Sequence, residues 1–195
     1  MAITTEQIKE LRDKTGISVM QCKKALEEAG GDMEKAIIIL RKQGAATALK
    51  KGDRTMNAGT IAAYIHSNGA VGTMVELGCE TDFVSGNSEF KALAYDIAMH
   101  IAATNPEFVR MEEVTEEVKK KVAEVFQKEV EGKPANMKAQ ILDGKLQAYF
   151  KDKVLMEQQF IKNPELTIAD LINTAVQKFG EKTEIIRFTR FALRG

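Results

Sequence analysis

The sequence predicts an α+β fold in two parts: a short run of helices, then a hairpin, further helices and a closing strand. Three observations carry that reading. Capping residues and glycine stops recur at short intervals over the first 44 residues. Period-two apolar patterning flanks Asn68-Gly69, the strongest short hairpin signal. A last alternating segment, Glu184–Phe191, follows several stretches of helical periodicity.

In chain order, Thr4 with Gln7 forms a capping box and Ile3 with Ile8 a hydrophobic staple. Ile8 and Leu11 carry one apolar face to Thr15-Gly16, where the first helix should stop. Ser18 with Gln21 and Ile17 with Cys22 repeat both devices, and Cys22, Ala25, Leu26 and Ala29 follow at helical spacing until Gly30-Gly31. Asp32 caps a third helix, whose Met33, Ala36, Ile37 and Leu40 face inward before Gly44 closes it. Such a bundle, roughly 45 residues long, is near the lower limit for independent folding and too small for a sizeable pocket. Its expected role is to present a surface. Val19 and Met20 open the second helix and cannot both face the core. Methionine suits adaptable contacts, and single exposed apolar residues are also common. Residues 45–56, Ala-rich and then polar, read as a helical or mobile linker, dividing the chain into 1–44, 45–56 and 57–195.

In the larger part, Ile61, Ala63 and Ile65 alternate with Thr60, Ala62, Tyr64 and His66 as in a strand. Val71, Thr73, Val75 and Leu77 return from the hairpin into Thr81-Asp82-Phe83-Val84, a turn. Asn87 caps a helix with Phe90, Leu93, Ala94, Ile97, Ala98 and Ile101 on one face, stopped by Asn105-Pro106. Three more helices are expected: one opened by Thr115, one after Lys133-Pro134, and one capped by Thr167 and ended by Gly180. Leu155–Ile161 reads as helical at first and then irregular. The closing strand places Ile186 and Phe188 on one face and Ile185 and Phe191 on the other, so it requires cover on both. With the hairpin it completes a three-stranded antiparallel sheet.

Composition excludes several functions. Lys+Arg and Asp+Glu stand at 28 each, and no like-charged run exceeds Lys119-Lys120-Lys121, so no overall field favours direct nucleic-acid binding. No apolar run is long enough to span a membrane. Met1–Glu6 lacks the regions of a secretory signal, and Cys22 and Cys79 each sit inside an apolar pattern, as reduced thiols do. A cytoplasmic protein is expected. His66 and His100 show no metal-site spacing, no phosphate-cradling glycine loop is present, and no local pattern supports a Cys–His nucleophile pair. No cofactor and no enzyme chemistry are expected.

Phe83 stands out because it sits in polar turn sequence. Its residue type favours filling a core. Against that, Gly86 occupies the staple position of the following helix, and the neighbouring Asp82 prefers water. Loops on a rigid scaffold are also where chains place side chains that act on something else.

Two motifs resemble a known family. Leu11-Arg12 with Thr15-Gly16 and Met20-Gln21-Cys22-Lys23-Lys24-Ala25-Leu26 resembles the N-terminal signature of elongation factor Ts, and Cys79-Glu80-Thr81-Asp82-Phe83-Val84 its central signature. Gly132-Lys133-Pro134 and Lys151–Gln158 sit where the family carries similar text, so the likeness covers nearly the whole chain. Ser18-Val19 and Gly78 depart from the residues most common in relatives. The resemblance implies a guanine-nucleotide exchange factor for elongation factor Tu, with a ubiquitin-associated-like bundle at the N-terminus. It assigns docking on the GTPase domain to Arg12, Val19 and Met20. Dislocation of the partner's Mg²⁺ falls to Thr81, Asp82, Phe83 and Val84, with Phe83 as the wedge. Longer members carry two related α/β subdomains where this chain has room for one, which implies a homodimer and a 2:2 complex, paired through the strand at Ile185–Phe191. The alternative reading is a ubiquitin-associated-like adaptor without exchange activity, which leaves Thr81–Val84 without a role.

Overall fold

Thr4 caps the first helix, α1 (Thr5–Thr15): its hydroxyl accepts from the Gln7 amide while the Gln7 side chain accepts from the Thr4 amide. The structure, a computed structural model, describes residues 3–130 and 135–193. Gly16, at φ 68°, turns the chain through the left-handed region, and Ser18 caps α2 (Val19–Glu28). Asp32 caps α3 (Met33–Lys50). Leu11, Ile17, Cys22, Ala25, Leu26, Ala36 and Leu40 form one buried cluster between the three helices. Helix α3 does not stop at Gly44 as expected but continues to Lys50. Gly44 is used for a close approach: a Cβ there would lie 3.2 Å from the carbonyl oxygen of Asn173. Interhelical contact, which local sequence does not report, overrides the low helix propensity of glycine.

Strands β1 (Ala58–Ile65) and β2 (Val71–Cys79) pair antiparallel across Asn68-Gly69, with Ala62 opposite Val75. A single helical turn, α4 (Asp82–Ser85), follows β2 and leads into α5 (Ser88–Thr104), capped by Asn87. Then come α6 (Glu116–Val130) and α7 (Ala135–Lys153), which bury Val114, Phe150 and Val154 in a cluster of their own. The expected breaker Lys133-Pro134 lies outside the described residues. Leu155–Glu157 forms a 3-10 turn. Beyond it, the segment expected to be irregular enters a small hairpin of β3 (Gln159–Phe160) and β4 (Asn163–Thr167). Thr167 and Asp170 form the capping box of α8 (Ile168–Phe179), and Gly180 ends it at φ 70°. Strand β5 (Thr183–Ala192) then pairs with β2, giving the sheet order β1-β2-β5, antiparallel throughout.

Helices α5 and α8 cover one face of this sheet. Val75, Leu77, Cys79, Phe90, Ile97, Ile101, Ile168 and Ile185 are buried there. The faces of β5 differ from the expected alternation. A bulge at Glu76/Leu77 leaves Ile186 unpaired between Ile185 and Arg187, and an extra residue reverses the side-chain alternation beyond it. Ile185 and Phe188 therefore belong to the core, while Ile186 and Phe191 face outward. In β1, Ala58, Ala62 and Tyr64 pack on the core and Ile61 and Ile65 point away. The outer face of the sheet thus exposes apolar side chains, Met74 and Leu193 among them, around a Glu76–Arg187 ion pair.

Candidate functional site

Thr81–Val84 does not form an open turn. Thr81 occupies the N-cap of α4, and the helical turn splits the apolar pair: Val84 is buried in the core, whereas Phe83 is 88% exposed. The core-filling role of Phe83 is thereby excluded. Asp82 lies beside it, also exposed.

Two carboxylates hold this turn. One oxygen of Glu181 accepts from the amides of Glu80 (3.1 Å) and Thr81 (3.0 Å), and the other accepts from the Thr81 hydroxyl at 2.6 Å. The Glu80 carboxylate reaches back to accept from the Lys182 amide at 2.6 Å, and both its oxygens lie 3.2 Å from one guanidinium nitrogen of Arg54. The Lys182 amide, and then Arg54, hold the Glu80 carboxyl below its ordinary range. Lys51 donates to the Gly180 carbonyl at 2.7 Å and Lys182 to the Gly52 carbonyl at 2.6 Å. Three segments distant in sequence, 51–54, 79–82 and 180–182, are therefore tied at one place. Sequence reasoning singled out the turn but missed Arg54, Glu80 as an anchor, Glu181 and Lys182. The bond-forming pairs lie from 26 to 130 positions apart in sequence, so no local periodicity marks them.

Arg12, Val19 and Met20 flank the corner between α1 and α2, and all three are exposed, Val19 at 48% and Met20 at 66%. They lie on the bundle, whose buried cluster is separate from the one that holds Val84 beside Phe83.

Among the described residues, both cysteines and one of the histidines are buried. Burial pushes the thiol of Cys79 up, and that sulfur donates to the Thr81 carbonyl at 3.3 Å, under the turn. Burial likewise raises Cys22. His100 is wholly buried: its Nδ1 accepts from the Ile161 amide at 3.3 Å, so the proton sits on Nε2, which donates to Gln158 Oε1 at 2.8 Å. Among the described residues, no group of three or more His, Cys, Asp or Glu side chains is placed to hold a metal. A groove of about 320 Å³ between the bundle and β4–α8 is lined by no His or Cys. What the molecule presents is an exposed aromatic on a braced turn, an apolar corner of a small bundle, and an apolar sheet face.

Residues 5–194 match the family model described as Elongation factor TS. The chain belongs to the elongation factor Ts family. Elongation factor Ts of Carboxydothermus hydrogenoformans is 51% identical over 193 residues, covering 98% of this chain and 89% of that relative. The corresponding factor of Thermodesulfovibrio yellowstonii is 50% identical over 192 residues, covering 98% and 96%. That of Thermotoga petrophila is 48% identical over 193, covering 99% and 97%. Membership of the elongation factor Ts family makes the chain a translation elongation factor. No helix among its described residues is long and apolar enough to cross a membrane.

Proposed function

We propose that this chain is a guanine-nucleotide exchange factor for elongation factor Tu in the cytoplasm, promoting release of GDP without making or breaking a bond. The single observation that carries the proposal is the exposure of Phe83 on a helical turn braced by Glu181. In this reading Arg12, Val19 and Met20 dock the bundle on the GTPase domain. Phe83, carried by Thr81, Asp82 and Val84, then enters between helices of that domain and displaces the groups around its Mg²⁺ and phosphate.

The energetics support such a step. Burying one phenylalanine side chain in a partner contributes on the order of 2–3 kcal/mol. If that contact exists only in the nucleotide-free partner, linkage requires nucleotide affinity to fall by the same factor, roughly 30- to 150-fold. A slight shift of the Mg²⁺ ligands adds to this, because the ion bridges protein and diphosphate and carries the largest local charge.

The outer sheet face supports a homodimer and a 2:2 complex. Ile61, Ile65, Met74, Ile186, Phe191 and Leu193 are exposed around the Glu76–Arg187 ion pair on a chain with one α/β unit, and apolar patches rimmed by polar groups mark contact sites. The equal charge balance supports contact with protein rather than nucleic acid.

Release of fluorescent GDP from elongation factor Tu tests the proposal. Wild-type chain accelerates release, and Phe83→Ala loses most of the acceleration while melting at the wild-type temperature, because the side chain is exposed. No acceleration by wild type would sink the exchange reading and favour an adaptor acting through the bundle alone. A collapsed melt in Phe83→Ala would contradict the exposed placement of the ring and overturn its role as the wedge.

A further inference from the structure

If Phe83 is to act on a partner, it must hold its direction under load, and its own neighbourhood supplies little of the stiffness. Helix α4 has four residues, and an isolated helical turn is unfavourable to form. Thr81, at its N-cap, makes no side-chain cap bond to it. The hydroxyl that would ordinarily cap the helix is turned away to Glu181. Phe83, 88% exposed, has little packing to steady it. Val84 fixes one side of the turn in the core and the Cys79 thiol holds the Thr81 carbonyl, but neither fixes the Thr81 amide and hydroxyl at the entry to α4.

We propose that Glu181 is the positioning residue for Phe83, acting through Thr81; this rests on the exchange reading above. Its carboxylate gathers three donors from two consecutive residues, the amides of Glu80 and Thr81 and the Thr81 hydroxyl. That sets the direction in which the chain enters α4. Glu181 is itself restrained. It follows Gly180, whose left-handed conformation turns the chain out of α8 and whose carbonyl accepts from Lys51. The next amide, Lys182, is taken by Glu80. Each carboxylate thus secures the backbone of the segment that carries the other, and neither segment can rotate alone. A bond to a charged acceptor is stronger than a neutral one, which suits a brace. Glutamate is long enough to span the gap, and glutamine in its place keeps one accepting oxygen of the two.

A double-mutant cycle in the GDP-release assay tests this, using the full chain with elongation factor Tu. Glu181→Ala lowers the maximal rate on the order of tenfold, with the half-saturating concentration nearly unchanged, since a charged brace and its unmet donors are removed. Glu181→Gln recovers part of the rate. In the Phe83→Ala background, Glu181→Ala causes no further loss, because its effect passes through the missing ring. If Glu181→Ala loses its cooperative melt, Glu181→Gln runs the same cycle. Wild-type rates for the Glu181 variants, or equal losses in both backgrounds, overturn the assignment and leave Phe83's role standing. A Phe83→Ala protein as fast as wild type instead removes the exchange reading of the turn, which is a separate failure.

Discussion

Lowering the pH from about 7.5 to about 5.5 should destabilise this protein through one residue, His100. The imidazole has no exposed surface, and both ring nitrogens are committed, Nδ1 as acceptor from Ile161 and Nε2 as donor to Gln158. A second proton would fall on Nδ1 and face the Ile161 amide donor. No carboxylate is among its hydrogen-bond partners to offset the charge. Burial accordingly pushes its pKa below the ordinary 6.5, a shift only partly opposed by the bond with Gln158. The unfolded chain then binds more protons than the folded one below pH 6.5. Stability is fully present above that value and falls as the pH drops through it. One such group removes at most about 1.4 kcal/mol per pH unit, and up to about 1 kcal/mol between its ordinary pKa and one unit below. Glu80, whose pKa lies below its ordinary value of 4.5, withdraws its contribution only at lower pH. Urea melts across this range, compared with His100→Phe, provide the measurement. The variant is less stable at neutral pH by about 1–3 kcal/mol because the Ile161 amide loses its partner, and its pH slope is shallower. His66 is common to both proteins, so the difference between slopes reports His100. Identical slopes would refute the reasoning.

Three further outcomes are expected. Val19→Ala with Met20→Ala raises the half-saturating concentration in the GDP-release assay by roughly fivefold, from about 1 kcal/mol of lost apolar burial, and leaves the maximal rate unchanged. Phe191→Glu places a charge on the outer sheet face and shifts the mass in light scattering at micromolar concentration from dimer to monomer, with the fold intact. Gly59→Ala brings a Cβ to 2.6 Å from the Leu77 carbonyl oxygen across β1 and β2; separating backbone there costs about 1–3 kcal/mol, readable as a lower denaturation midpoint.

The parts of the fold legible in the sequence are those decided within a few residues. Thr4, Ser18, Asp32, Asn87 and Thr167 cap helices where expected, because a cap concerns only the next three amides. The hairpin at Asn68-Gly69 and the α+β class follow from equally local signals. What was illegible depends on a partner elsewhere in the chain. Gly44 looked like a stop because its neighbour, the Asn173 carbonyl, is absent from local sequence. The faces of β5 could not be read because a bulge is a property of the pair with β2. The two-residue strand β3 is too short to show a period. For the candidate site, Phe83 was visible as an aromatic out of place, whereas the carboxylate that braces its turn comes from the far end of α8.

The unbroken course of α3 has a consequence for spacing. Its 18 residues span about 27 Å, with the bundle at one end. Lys51, Gly52 and Arg54, at the other end, run directly into the bonds that hold Glu80, Gly180 and Lys182. Between them Gly44 seats the helix on Asn173. The helix therefore works as a calliper with a fixed angular setting. One residue inserted before Gly44 would swing the bundle by about 100° around the helix axis and break the groove it shares with β4–α8, while the core of each part stayed intact. Both surfaces would survive and face the wrong way, so length and phase in this segment are as much a part of the encoded machinery as any side chain.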